Sequence, residues 1–206
     1  AGPPVVRRAA GFGLSVDETA TISAFANNEF SGNEYEPVRV SPTHVSALDS
    51  ETIYSGNNGT DAIYVRNGIL TEDATWAAAG VPYRVGVFNV EATLTLQPGA
   101  AVTGRGGTIT IRNGGSLTAE GESDAPIRIE GTTDQGGWKG IVARDQTTVT
   151  LEHVVLANSS GTFEPSTLTL RDSASATVTN CTIRDAAGYG IFVGEGASLT
   201  SSNNTF

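Results

Sequence analysis

The sequence predicts an all-β solenoid, a fold in which short strands coil into stacked rungs. A pattern of three short strands recurs about every 24 residues: an aromatic residue followed by Ser-Gly-Asn occupies 30–33 and returns at 54–57. Apolar and polar residues alternate within the strands, which is typical of strands with one buried face and one exposed face. Helical periodicity is nearly absent. A unit of this size cannot bury its own apolar side, so it must stack on copies of itself.

Two sets of rungs, joined by one loop, make up a single predicted domain that spans residues 1–206. The first set fills residues 1–71, and the second set fills residues 83–206. The segment between them, 72–82, is too short for a helix and is closed by Gly80 and Pro82. We therefore predict a loop there.

Each set contains short strands separated by turn residues. In the first set the strands are predicted at 13–16, 20–23, 30–33, 37–40, 44–48, 54–57, 62–65 and 68–71. In the second set they are predicted at 85–90, 93–96, 101–103, 108–111, 116–119, 126–129, 140–143, 147–151, 154–156, 167–170, 177–179, 182–184, 190–193 and 197–200. Each strand should turn its apolar residues inward and its polar residues to solvent.

A longer repeat is superimposed on the rungs. Residues 7–16 resemble residues 184–193, and the similarity continues from 20–23 to 197–200. Either the full protein is a tandem array of blocks of about 177 residues, or similar rungs recur within one solenoid, and the extent of the match favours the array. The last residues carry no polar cap, which solenoids normally need. We therefore expect the chain to continue in nature, or to associate head to tail through uncapped ends.

The charge of the chain excludes some partners. The net charge is −10, from 12 basic and 22 acidic residues. Nucleic acids and anionic membranes attract basic surfaces, so neither is expected as a partner. Membrane insertion is not expected either, because no apolar stretch approaches the roughly 20 residues of a spanning helix. Cys181 is the only cysteine, so it forms no internal disulfide, and we predict a small buried side chain.

Asparagines recur at the turns. They occur at Asn27, Asn28, Asn57, Asn58, Asn158, Asn180, Asn203 and Asn204. Stacked Asn amides can bond to the rungs above and below, and Asn tolerates the left-handed backbone conformation. We therefore predict a structural role for these side chains.

Five segments of the second set have a characteristic order and spacing: 94–102, 114–121, 124–129, 137–141 and 151–156. In these segments the chain resembles the pectin-lyase-like class, and in particular its secreted and cell-surface bacterial members. The resemblance implies a right-handed, single-stranded parallel β-helix solenoid with three short strands per rung of about 24 residues. It also implies an extracellular location, secreted or at the cell surface. It is not specific for function, because the class includes lyases, hydrolases, epimerases, adhesins and structural repeats.

No catalytic residue is predicted. A hydrolase of this fold needs two carboxylates at a defined separation on one outer face. A lyase needs an outward basic residue beside calcium that is held by several carboxylates. Several arginines could point outward, but no acidic trio lies in register with them; they are Arg39, Arg66, Arg84, Arg112, Arg128 and Arg144. The sequence therefore favours a role other than catalysis.

One turn carries a cluster of acidic residues. Glu120, Glu122 and Asp124 form either a weak calcium site or a solvated acidic turn. Calcium is thus the single cofactor that the sequence leaves open, and no other cofactor is predicted.

Aromatic residues could bind a glycan. The candidates are Tyr64, Trp138, Tyr189 and Phe192, of which Tyr64 and Phe192 occupy outward positions of their strands. Trp138 has the alternative of packing over a rung at a bend. Since no aromatic stripe is sustained along the chain, a glycan or another cell-surface molecule is expected as a partner without a defined site.

Pairs of threonines separated by one residue are frequent, and a flat ladder of such pairs could order water and bind ice. We expect the pair Thr93 and Thr95 to stack on residues 116 and 118, and the next rung to present Gly140 and Val142. Because Gly140 and Val142 would interrupt the ladder, ice binding is only a remote alternative.

Together these observations predict a non-catalytic extracellular β-helix module that acts as a rigid stalk or adhesion scaffold in a larger surface or secreted protein. The main alternative is a polysaccharide-binding or polysaccharide-active β-helix, similar to a lyase or hydrolase, whose site lies partly outside this segment. A carboxylate-lined and aromatic-lined cleft would favour that alternative, and a smooth outer surface would favour the stalk.

Overall fold

A computed structural model describes residues 4–57, 59–132, 137–160 and 166–206. These residues form an all-β parallel solenoid of about eight turns, with about 24 residues and three strands in each turn. The predicted fold class is thus confirmed. All strand pairs in the described residues are parallel, and each strand pairs with the equivalent strand of the next rung.

The strands form four sheets. Sheet 1 contains Val5–Arg7, Glu29–Ser31 and Ile53–Ser55. Sheet 2 contains Leu14–Ser15, Val38–Val40, Ile63–Val65, Tyr83–Val85, Ala101–Gly104, Ile127–Gly131, Val154–Ala157 and Thr182–Arg184. Sheet 3 contains Gly68–Leu70, Phe88–Val90, Ile109–Ile111, Ile141–Ala143, Ser166–Leu170 and Tyr189–Val193. Sheet 4 contains Ala74–Trp76, Thr93–Leu96, Ser116–Glu120, Thr148–Glu152, Ser175–Thr179 and Ser198–Ser202.

The core is a continuous column of apolar side chains inside the coil. In strands such as Val38–Val40 and Ile63–Val65, the first and third residues are buried and the middle residue faces outward. Because the strands of successive rungs are in register, Val38 lies over Ile63, and Ile63 lies over Tyr83. The alternation seen in the sequence therefore translates directly into an inner and an outer surface.

Two predicted strands of the first set are wrong. Residues 20–23 form no strand, and residues 44–48 belong largely to a 3₁₀ helix, Pro42–Ala47. Pro42 stands at the start of this helix, where its fixed φ suits a helical turn and its missing N–H removes no hydrogen bond. Val45 is buried, so the helix supplies a core residue that a strand was expected to supply.

The loop predicted at 72–82 contains a strand, and that prediction was also wrong. Ala74–Trp76 pairs with Thr93–Leu96 as the first strand of sheet 4. The indole of Trp76 is fully buried and stacks on Phe88 with ring centroids 5.4 Å apart. Burial of so large an apolar side chain stabilises the strand despite the turn residues that follow it. Sheet 2 runs past this segment without a break, since Ile63 pairs with Tyr83.

Most of the predicted asparagines that the structure describes have a structural role. The Asn33 amide donates to Asn57 Oδ1 across 2.7 Å, and the Asn57 amide donates to the Phe30 carbonyl of the preceding rung. Left-handed backbone occurs at Asn27, Asn113, Asn158, Asn180 and Asn203. Asn58 lies outside the described residues. No helix in the described part of the chain is long and apolar enough to cross a membrane.

Substitution of Gly104 by alanine tests how closely the rungs pack. A methyl group at this position would overlap the indole of Trp138, which is fully buried on the next rung. We expect Gly104→Ala to lower the free energy of unfolding by about 1–3 kcal/mol, the usual cost of overpacking. Chemical denaturation followed by circular dichroism measures it.

The matched control is Gly11→Ala, because no atom lies within 4 Å of a methyl group added there. This variant should differ from the wild type by less than about 0.5 kcal/mol. Equal midpoints for the wild type and Gly104→Ala would contradict the packing described here.

Candidate functional site

The outer surface of sheet 2 carries one residue per rung in a single column. The register aligns Ser15, Arg39, Tyr64, Arg84, Thr103, Glu130, Ala157 and Arg184. Of these, Ala157 is fully buried. Three large side chains follow one another in this column, at Arg39, Tyr64 and Arg84. Their alignment places two guanidinium groups on either side of a phenol on three consecutive rungs.

These side chains line a surface groove with two adjoining hollows. One hollow, of about 620 Å³, includes Tyr35, Glu36, Arg84, Thr103 and Arg105 in its lining. The other, of about 510 Å³, is lined by Phe12, Arg39, Tyr64, Arg66, Asn67, Arg84 and Arg105. Arg84 and Arg105 are common to both hollows, so the two are parts of one depression. We call it the arginine groove and define it by Phe12, Tyr35, Arg39, Tyr64, Arg66, Arg84, Thr103 and Arg105.

Backbone hydrogen bonds between rungs fix the positions of the groove residues. Arg66 and Arg105 each follow directly after a strand of sheet 2. The Arg66 amide donates to the Val40 carbonyl at 2.8 Å, and the Arg105 amide donates to the Val85 carbonyl at 2.9 Å. Tyr35 is held in the same way, by donation of its amide to the Gly11 carbonyl at 3.1 Å. The groove residues are therefore held in place by hydrogen bonds between neighbouring rungs.

One wall of the groove is a stack in which two aromatic rings lie between two guanidinium groups. The Arg39 guanidinium lies 5.2 Å from the centroid of Phe12, and the Arg84 guanidinium lies 5.0 Å from that of Tyr64. The Phe12 and Tyr64 rings are stacked with centroids 5.9 Å apart. Cation–π attraction favours this order, because each guanidinium meets the electron-rich face of a ring. The stack covers the faces of Tyr64 but leaves the ring of Tyr35, at the rim, half exposed.

Two of the four groove arginines already bind carboxylates. Arg84 forms an ion pair with Glu36, and both side chains are largely buried. Arg66 Nη1 lies 2.6 Å from Asp17 Oδ1. Arg39 and Arg105 form no ion pair with any residue that the structure describes, and the Arg39 Nε is buried without an acceptor. The groove thus holds four cations against two carboxylates.

The other predicted ligand residues lie elsewhere. Trp138 is fully buried, which fits the alternative that we gave for it, packing over a rung. Gly104 and Gly131 lack side chains where its indole packs, which gives it room inside the coil. Tyr189 and Phe192 form a tilted pair on sheet 3, with centroids 6.0 Å apart, four rungs beyond Arg84. Only Tyr64 among the four candidates lies in the arginine groove.

The acidic turn does not gather its carboxylates. Glu120, Glu122 and Asp124 are all exposed. Among the residues that the structure describes, no three His, Cys, Asp or Glu side chains form a group that could hold a metal ion. Calcium binding at this turn stays a prediction.

Cys181 is buried, as predicted. Burial raises the pKa of its thiol, and hydrogen bonds to the backbone of Val154 and Thr179 oppose this shift only in part. The thiol is therefore a packing element at neutral pH.

The threonine ladder is continuous, and the expected interruption was wrong. The outer face of sheet 4 carries Thr75, Thr95, Thr118, Thr150, Thr177 and Thr200 in one column. A parallel column holds Thr93, Ser116, Thr148, Ser175 and Ser198. The strand Ile141–Ala143, which was expected to break the ladder, belongs to sheet 3. We call these two columns the hydroxyl face.

The family model for the right-handed β-helix region matches residues 92–206, more than half of the chain. The chain therefore belongs to the right-handed β-helix family, and the pectin-lyase-like resemblance is consistent with this membership. Comparisons with curated proteins and with solved structures found no match. The arginine groove begins before the matched region, since Phe12, Arg39, Tyr64 and Arg84 all precede residue 92.

Proposed function

We propose that this chain is a rigid, non-catalytic β-helix module of a secreted or cell-surface protein, and that it adheres to a polysaccharide through the arginine groove. The observation that carries the proposal is the alignment of Arg39, Tyr64 and Arg84 beside Phe12 and Arg105. The column runs across the rungs, which are about 4.8 Å apart. From Arg39 to Thr103 it therefore spans roughly 14 Å, which suits an extended chain better than a compact ligand.

Rigidity follows from the way the rungs are joined. Eight strands of sheet 2 are paired in sequence from Leu14 to Arg184, and the core beneath them is continuous. Bending such a coil would break many backbone hydrogen bonds at once. A surface protein can use such a module to hold a binding groove at a fixed distance and orientation.

The acidic residues of the groove favour binding over cleavage. Glycoside hydrolysis generally needs two carboxyl groups about 5–10 Å apart on either side of the bond that is cut. Of the described residues that line the two hollows, Glu36 is the one with a carboxylate, and that carboxylate is buried against Arg84. Its Oε1 is paired with Arg84, so this oxygen is not available as an acid or a nucleophile.

Substitution of Tyr35 tests whether the groove binds a polysaccharide, because the ring of Tyr35 is the exposed aromatic surface of the groove. We expect the wild type to bind at least one polysaccharide in an array of neutral and charged chains. Tyr35→Ala should weaken that binding by about threefold to tenfold, the usual worth of an aromatic contact. Reducing ends and unsaturated products, measured in the same samples, should stay at the level of the blank.

Tyr189→Ala is the matched control, since Tyr189 is 57% exposed and Tyr35 is 50% exposed, and Tyr189 lies on sheet 3. It should bind like the wild type. Equal losses in the two variants, or no binding to any polysaccharide, would refute adhesion through the groove. Product formation would favour the enzymatic alternative.

As a second candidate function we propose ice binding through the hydroxyl face. The observation that favours it is the unbroken register of the two columns over five rungs. Along each strand the two hydroxyl positions are about 6.7 Å apart, and successive rungs repeat at about 4.8 Å. A regular array of hydroxyl and methyl groups on this scale can hold water in a fixed lattice.

Replacement of Thr118 and Thr150 by lysine tests this candidate, since both lie in the middle of the hydroxyl face. The wild type should slow the recrystallisation of ice at micromolar concentration, and the double variant should lose this effect because two long, hydrated side chains disrupt the flat array. Thr110→Lys on sheet 3 is the control and should behave like the wild type. A wild type that leaves ice growth unchanged would eliminate the candidate.

A further inference from the structure

We propose that Asp61, which lines neither hollow of the arginine groove, is a positioning residue for the rim on which Tyr35 stands. It acts through side-chain hydrogen bonds that cross three rungs and through the backbone of Gly59. This inference rests on the proposed function, because it concerns how the binding surface is held in shape.

The carboxylate of Asp61 accepts three hydrogen bonds from residues that come shortly before it. Its Oδ2 accepts from the Gly56 amide at 3.0 Å, and its Oδ1 accepts from both the backbone and the side-chain amide of Asn57, each at 3.0 Å. Burial acts to raise the pKa of this carboxyl group, but the hydrogen bonds from Asn57 and Gly56 together outweigh it, so the pKa is lowered. At neutral pH the group is therefore an ionised acceptor, which makes strong hydrogen bonds to N–H donors.

Asp61 also fixes which way the side chain of Asn57 points. A carboxylate can only accept, so it holds the Nδ2 of Asn57 toward itself and leaves the Oδ1 of Asn57 for another donor. That oxygen accepts from the backbone amide of Asn33 at 3.1 Å and from its side-chain amide at 2.7 Å. The Oδ1 of Asn33 accepts in turn from the Ala9 amide at 3.0 Å. We call Asp61, Asn57 and Asn33 the Asp61 network.

Burial makes the network sensitive to the loss of one member. Asn33 is fully buried, and Asn57 and Asp61 are half-buried. Polar groups inside a protein cost free energy when they lack a partner, so the chain would move to satisfy them. Removal of the Asp61 carboxylate would free Asn57 to turn, and Asn33 would then lose the acceptor on the next rung.

The residues that follow Asn33 form the rim of the groove. Gly59 packs on their backbone so closely that a methyl group added to it would lie 2.8 Å from the carbonyl carbon of Tyr35 and 3.0 Å from the amide nitrogen of Glu36. The ring of Tyr35 meets that of Phe12 edge to face, with centroids 5.4 Å apart. The segment from Asn33 to Glu36 thus lies between the network on one side and Gly59 on the other. A shift of either would move Tyr35 relative to Phe12.

Glu36 extends the effect of the network to the opposite wall of the groove. Its carboxylate pairs with Arg84, whose guanidinium lies 5.0 Å from the centroid of Tyr64. Both members of this ion pair are largely buried. A displaced Glu36 would leave a buried charge poorly paired, so the wall and the rim depend on the same segment of backbone.

Substitution of Asp61 tests the network in the free protein, before any ligand is added. In the wild type, proton NMR should show contact between the rings of Phe12 and Tyr35. Asp61→Ala should weaken or abolish that contact and shift the amide signals of Tyr35 and Glu36. Asp61→Asn keeps the shape of the side chain and one acceptor oxygen, so it should fold even if Asp61→Ala does not. It should show a smaller displacement of the same signals.

Asp49→Ala is the matched control. Asp49 is also half-buried, and its carboxylate accepts from the Asn27 amide at 2.6 Å and from the Thr52 hydroxyl. It lines neither hollow of the groove. The control therefore removes the same charge and the same kind of hydrogen bond between rungs, and it should leave the signals of Tyr35 and Glu36 in place.

Binding to the polysaccharide that the array identifies gives the second readout. Asp61→Ala should weaken binding by no more than Tyr35→Ala does, which is about threefold to tenfold. In the double variant the loss should be smaller than the product of the two single losses, because both changes act on the same contact. Asp49→Ala should bind like the wild type.

The outcomes separate this inference from the proposed function. Unchanged Tyr35 signals in both Asp61 variants, or equal changes in Asp61→Ala and Asp49→Ala, would overturn the inference even if the groove binds a polysaccharide. Losses that multiply fully in the double variant would also overturn it, since the two residues would then act independently. An array without hits would refute the proposed function, and the NMR signals of the free protein would still decide whether Asp61 positions Tyr35.

Discussion

Parallel pairing of each strand with its equivalent in the next rung is the constraint on which the rest of the structure depends. It fixes the register, so a residue that faces outward on one rung lies over an outward residue on the next. Inside the coil the same rule stacks Val38, Ile63 and Tyr83 into a core. Outside the coil it converts single residues that are far apart in sequence into continuous columns. The arginine groove and the hydroxyl face are both products of this rule.

The sequence predicts the register of the first rungs but not that of the later ones. Residues 15, 39 and 64 are aligned by the period of about 24 residues, and the strand pairing confirms this alignment. The later rungs change length: Arg84 follows Tyr64 after 20 residues, and Glu130 follows Thr103 after 27. A count at constant period therefore misplaces Gly140 and Val142 under the threonines, whereas hydrogen bonding places Thr148 and Thr150 there. Arg105 could not be assigned to the groove for the same reason.

At some positions the burial of a large side chain outweighs the local preference of the sequence for a loop. Trp76 lies in a segment closed by turn residues, yet its indole packs into the core and forms a strand. Burial also decides the role of Trp138. As a large aromatic residue beside glycines it was a candidate for sugar binding, but in the structure it is a core residue. The strand pattern does not mark Phe12 and Tyr35 as outward-facing residues, because neither lies within a strand. Backbone hydrogen bonds and ring contacts, which follow from the fold, bring them to the groove.

The arginine groove is a basic depression on an acidic solenoid, and we propose that a polysaccharide occupies it. Backbone amide NMR of the labelled chain, titrated with a short oligosaccharide of the polysaccharide that the array identifies, tests this proposal because it reports where a ligand lies. We expect chemical-shift changes concentrated at Phe12, Tyr35, Arg39, Tyr64 and Arg105, with sheets 3 and 4 unaffected. Changes that concentrate on the hydroxyl face, or that spread evenly along the rod, would contradict it.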